Sequence, residues 1–216
     1  RAAGEILKVG SPIALQDFLT NLSFLIITSI VNALGVIASA GVGIAEKLFI
    51  FLALVPMSFM SALSTFVAQN YGAEKPERIQ KGVKSAVLSA FVFCVIVSTL
   101  VCVFARPLME LFIHPTETEI IRVGVEYLRI EASFYIGIGL LFLLYGFYRA
   151  MNRPGMSVVL TVISLGTRVA LAYLLSAIPW IGVTGIWVSV PIGWLLADLV
   201  GVFVYKKMRK SMFGKV

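Results

Sequence analysis

Asp17, Asn21, Thr28 and Asn32 recur through an otherwise apolar stretch at intervals of four, seven and four residues. At 100° per residue they fall within about 60° of one another, so a helix carries them as one stripe. At 1.5 Å per residue that stripe is about 22 Å long. Polar groups in hydrocarbon are costly, so such a stripe turns toward other helices or toward a wet cavity. Two uses remain open on these residues alone: hydrogen bonding within a bundle, or lining a cleft for a polar solute. Asp17 is the sharpest member, a carboxylate able to hold a cation or a proton.

A second helical face joins Glu46 to Met57, Met60 and Ser64. Met side chains are flexible and polarisable, which suits varied apolar ligands as well as ordinary cores. Deeper in later apolar stretches stand Arg168 and Asp198. An Arg at a bilayer centre costs at least about 2.5 kcal/mol, so Arg168 is expected to face protein. Glu46, Arg168 and Asp198 are therefore grouped as a polar network. Arg129 and Glu131 are placed near one mouth of the fourth stretch, and the single histidine, His114, in a surface turn. There is no Ser/His/Asp set, no HExxH and no phosphate-cradling glycine loop, so the chain is not expected to be an enzyme or to hold a metal. Cys94 and Cys102 are eight residues apart, about 12 Å along a helix, against the roughly 7 Å that a disulfide allows.

The elements that must position these residues are six apolar stretches, read at 11–34, 44–68, 85–105, 126–148, 156–177 and 182–205. Each reaches the roughly 20 residues that cross a bilayer core. Hydrophobic residues make up 59% of the chain and charged ones 13%, against roughly 45–50% and about 25% in soluble domains. The expected fold is all-α: a polytopic transmembrane six-helix bundle filling residues 1–216.

Lys and Arg are unevenly shared among the loops. Thirteen lie at the termini and in the second and fourth loops (Arg1, Lys8, Lys75, Arg78, Lys81, Lys84, Arg149, Arg153, Lys206, Lys207, Arg209, Lys210, Lys215), against two, Arg106 and Arg122, in the others. The positive-inside rule then places both ends on the cytoplasmic side. This also accounts for the net charge of +7 without nucleic acid: the basic residues meet anionic lipid. Pro12, Pro56 and Pro191 lie in or at the start of spans, and an interior proline frees a carbonyl. Gly137, Gly139 and Gly146 are expected to allow close helix approach.

Gly10-Ser11-Pro12-Ile13, Ile30-Val31-Asn32-Ala33-Leu34-Gly35, Ser39-Ala40-Gly41-Val42-Gly43-Ile44 and above all Val67-Ala68-Gln69-Asn70-Tyr71-Gly72-Ala73 resemble the multidrug and toxic compound extrusion (MATE) family of bacterial efflux transporters. The likeness runs through essentially the whole chain. Members have twelve helices in two six-helix lobes across a central cleft, and this chain looks like the C-terminal lobe, a piece of a longer protein whose N-terminal lobe precedes Arg1. The resemblance implies export of lipophilic, often cationic organic compounds in exchange for Na⁺ or H⁺, with no other cofactor, in the bacterial inner membrane. One sodium-coupled branch uses acids in the first and fourth helices of this lobe; Thr20 and Gly139 stand there, so the resemblance implies that this site is absent and that the ion site is to be sought in the preceding lobe. A flippase for lipid-linked saccharides and a non-transporting membrane scaffold are the rival readings. Both are weakened by what lies inside the spans: a single deep cation, Arg168, and the polar stripe.

Overall fold

The computed structural model describes residues 2–213, with every side chain described over 10–210. Of the basic residues used for orientation, Arg1, Lys215 and the side chain of Lys8 lie outside the described residues. Seven helices follow one another: α1 (Ala2–Ala33), α2 (Val36–Gly72), α3 (Pro76–Glu110), α4 (Thr118–Ser133), α5 (Tyr135–Ala150), α6 (Pro154–Ser176) and α7 (Val183–Phe213). Five are long and apolar enough to cross a membrane, and α4 with α5, bent by 53° at a short break, makes a sixth span. Counted as six passes, the helices bring the start of α1 and the end of α7 to one end of the bundle. That end carries Lys75–Lys84, Arg149 and Lys206–Lys210, and is called the basic end below.

The helices outrun the apolar stretches. The segment 35–43, expected to be a loop, is the first part of α2, and the first turn of the chain is only Leu34–Gly35, with Gly35 at φ 103°. The charged segment 76–84 is helical too, entering at Pro76, where a missing N–H costs nothing. The third helix runs past Arg106-Pro107, beyond the apolar stretch that ends at 105, and reaches Glu110. Pro12 lies inside α1, not at its start. Apolarity marks the bilayer, whereas helix ends follow caps and turns, so the two boundaries separate. His114–Glu117 forms a turn between helices as expected, as does Pro179–Gly182, and His114 Nδ1 meets Thr116 Oγ1 at 2.9 Å.

The fourth span breaks without a proline. Ser133 Oγ donates to the Arg129 carbonyl at 2.6 Å, a side-chain bond of the kind that bends helices, and Phe134 leaves helical geometry at φ −110°, ψ 16°.

The bundle is organised around this broken span. Helix α5 touches α2, α3, α6 and α7, and the others ring it in the order α3, α2, α1, α6, α7. The ring is nearly open between α3 and α7, which barely meet. Two glycines let α5 sit this deep: a Cβ at Gly146 would stand 2.5 Å from the Met60 carbonyl oxygen, and one at Gly139 2.6 Å from Cys94 Sγ. At Gly137 the nearest atom would be 3.4 Å away, ordinary contact, so close approach is not its role. Aromatic pairs lock the centre: Phe49 stacks on Trp194 and meets Tyr135 edge-on.

Candidate functional site

On α1 the buried residues are Gln16, Ser23, Ile27 and Val31. Asp17, Thr28 and Asn32 each follow one of these by a single residue, a rotation of about 100°. The whole stripe, Asn21 included, is therefore exposed on the outer side of the lobe. It is little used by the bundle. Among the described residues the side chains of Asp17 and Thr28 make no hydrogen bond, and Asn21 Nδ2 donates at 2.8 Å to the Asp17 carbonyl of its own helix. Asn32 is engaged, its Oδ1 accepting from Ser39 Oγ at 2.5 Å across the α1–α2 turn. Thus an open polar face, centred on Asp17 to Thr28, sits inside a span.

The Met face of α2 divides. Met57 is exposed and Ser64 half-buried, whereas Met60 packs toward α5. There Met60 Sδ lies 4.0 Å from Arg149 Nη1. Arg149, read as a loop charge, reaches back to the bundle: its Nη2 donates to Gln16 Oε1 at 2.9 Å, tying α5 to the root of the stripe. Gln16 gave a signal that was passed over, a long polar side chain one residue from Asp17 on the buried side.

A buried charged cluster lies toward the far end. Arg168 on α6 is 5% exposed; its Nη2 is 3.9 Å from Glu46 Oε1 of α2, and its guanidinium covers the Phe24 ring of α1 at 5.0 Å to the centroid. Glu131 of α4, fully buried, interacts electrostatically with both Arg168 and Glu46. Neither Glu131 oxygen has a hydrogen-bond partner among the described residues. Glu46 is the carboxylate that approaches Arg168, and Glu131, buried without a bonded partner among the described residues, is the group that a proton or a monovalent cation would neutralise. Glu131 was assigned to a span mouth because the bend that carries it inward has no proline to announce it. Asp198 stands apart from this cluster, beside Gly137 on the wall of a groove between α5 and α7.

At the two positions where the resemblance expects acids, Thr20 Oγ1 donates to the Gln16 carbonyl of its own helix at 2.9 Å. Position 139 is filled by the contact with Cys94, which leaves no room for a carboxylate.

The family model described as MatE matches residues 12–174. The "Probable multidrug resistance protein YoeA" of Bacillus subtilis (strain 168) is 25% identical over 207 residues, covering 94% of this chain and 44% of that protein. An "FAD transporter" of Shewanella oneidensis is 27% identical over 209 residues, again 94% and 44%. A crystal structure of MATE in complex with MaL6 superimposes with a TM-score of 0.89 at 21% identity, covering 98% of this chain and 48% of that one. The chain spans a little under half the length of the curated relatives it matches.

Proposed function

The chain belongs to the MatE family, and we propose that it forms one six-span lobe of a two-lobed transporter that exports lipophilic, often cationic compounds in exchange for Na⁺ or H⁺. The observation that carries this reading is the open polar face of α1, with Asp17 and Thr28 unpaired inside a span. Bare toward lipid, that face would cost several kcal/mol, of the order of 2.5 to 3.5 for the carboxylate alone. A second lobe with a wet cleft between resolves the cost. Relatives about twice as long as this chain are what such an arrangement requires. Asp17, Asn21 and Thr28 with Met57 and Ser64 would line the cleft, pairing hydrogen-bonding groups with an adaptable apolar wall. The names of the relatives, a multidrug resistance protein and an FAD transporter, both fit an organic solute.

Transport would proceed by alternating access, the two lobes rocking about the cleft while ion binding biases which side is open. Support for a coupling role in this lobe comes from Glu46, Glu131 and Arg168, whose formal charges sum to −1 and reach zero with one bound proton or Na⁺. The decisive experiment is Asp17→Asn in the full-length protein. Ion-dependent efflux from proteoliposomes should fall about ten-fold or more, as when a charge-assisted contact worth roughly 1.5–3 kcal/mol is lost. Efflux equal to wild type would remove Asp17 from the mechanism.

The proposed location is the bacterial inner membrane with the basic end in the cytoplasm. Gln80→Cys should then react with a membrane-impermeant maleimide only in inside-out vesicles. Labelling of intact cells would invert the orientation.

A further inference from the structure

We propose a second ligand site on the lipid-facing side of the lobe: a groove between α5 and α7 that takes a lipophilic ammonium ion, with Asp198 as its counter-charge. The groove lies where the ring of helices is open between α3 and α7 and the central span is laid bare. Its volume is about 620 Å³, within the range of sites for drug-sized ligands, roughly 300–1,000 Å³. Phe134 and Gly137 at the bend form one wall, and Leu195, Leu199 and Phe203 of α7 the other. In the ring order α1 is the helix farthest from this opening, so the groove faces away from the polar stripe and cannot be part of the proposed cleft.

An apolar groove in a bilayer by itself suits any acyl chain. Asp198 is what makes this one specific. It lines the groove, is 6% exposed, and its Oδ1 has no hydrogen-bond partner among the described residues. The Arg168 cluster does not reach it, and the cation that shares the groove, Lys206, is eight residues further along α7, about 12 Å. A carboxylate so placed is satisfied either by a proton or by a positive partner from outside the lobe, and an ammonium ion entering the groove can take the proton's place. Across the groove Asp198 Oδ2 lies beside Gly137 of α5, 3.7 Å from where a Cβ would stand. The amine of a phospholipid headgroup is excluded by level, because it sits at the interface where Lys206 would repel it. A small amphiphile whose ammonium enters hydrocarbon with its alkyl or aryl body fits both wall and charge.

The test uses the full-length transporter in phosphatidylcholine nanodiscs with two photoreactive probes, dodecyltrimethylammonium carrying a diazirine on its chain and the matching neutral dodecanol. The cation should label peptides from 188–203 about ten-fold more in wild type than in Asp198→Asn, the loss expected for one charge-assisted contact. The neutral probe should label both alike. Equal labelling of the two proteins by the cation, or no labelling of this segment, overturns the site. Leu195→Trp, which fills the groove and leaves Asp198 in place, should lose labelling by both probes, and persistent labelling there overturns it equally if Asp198→Asn does not fold. Because the readout is occupancy, a transporter that fails to export the cation leaves the inference standing.

Discussion

Replacing Arg168 with Gln should cost the protein about 3–5 kcal/mol, whereas replacing Glu46 with Gln should cost far less. The asymmetry follows from the composition of the cluster. Among the described residues Arg168 is the cation that approaches Glu46, and it is 5% exposed over the ring of Phe24. Without it, the half-buried Glu46 and the fully buried Glu131 lose the guanidinium that balances them. Without the Glu46 charge, Arg168 still has Glu131 within its field, and the cluster becomes neutral overall. The 3.9 Å separation of Arg168 Nη2 and Glu46 Oε1 is too long for a strong direct bond, so long-range balance, not one contact, is what the guanidinium supplies. Thermal unfolding of the purified full-length protein checks this. At roughly 2–4 °C per kcal/mol for a unit of this size, Arg168→Gln should melt about 10 °C lower. Equal losses in the two variants would reduce the cluster to a simple pair and remove Glu131 from it. Added Na⁺ should also recover part of the loss in Arg168→Gln, since an external cation can then enter a site that Arg168 otherwise fills.

This cluster shows where reading residues in order stops. The polar stripe on α1 and the inward demand of Arg168 are legible, because each is a property of one helix and its period. All six spans emerge from hydropathy for the same reason, though the break within the fourth does not. Partnerships across the bundle do not. Glu131 and Arg168 are 37 residues apart in number, and their meeting depends on the 53° break after Ser133, which a Ser hydroxyl makes and no proline marks. Arg149 looks like loop charge until its bond to Gln16 is seen. Asp198 is legible as a buried acid, but its neighbour is set by an opening in the ring, and that is a property of all the helices at once. Helix ends were misread for a different reason: hydropathy reports the bilayer's edge, and α3 extends past it at both ends.

Tyr135→Phe should destabilise the protein by about 1–3 kcal/mol, and Pro56→Ala should cancel most of that cost. Pro56 has no N–H, so the carbonyl four residues back, that of Leu52, loses its helical donor. In hydrocarbon an unpaired carbonyl is expensive because no water can reach it. The structure supplies a substitute from the central span: Tyr135 Oη donates to the Leu52 oxygen at 2.5 Å. Removing that hydroxyl strands the carbonyl. Restoring an N–H at position 56 returns the ordinary helical bond, after which Tyr135 has little to satisfy and Phe is nearly as good. Thermal unfolding of the two single variants and the double variant, each against wild type, measures the coupling. Additive losses would mean that Tyr135 acts through its ring alone, where it meets Phe49 edge-on at 5.7 Å between centroids. The coupling has a consequence for transport. Pro56 adjoins Met57 on the exposed side of α2, so the kink and the hydroxyl that stabilises it set the direction of the proposed cleft wall. The double variant, stable but without the proline, should therefore fold normally and export its substrates less well, separating the shape of α2 from its stability.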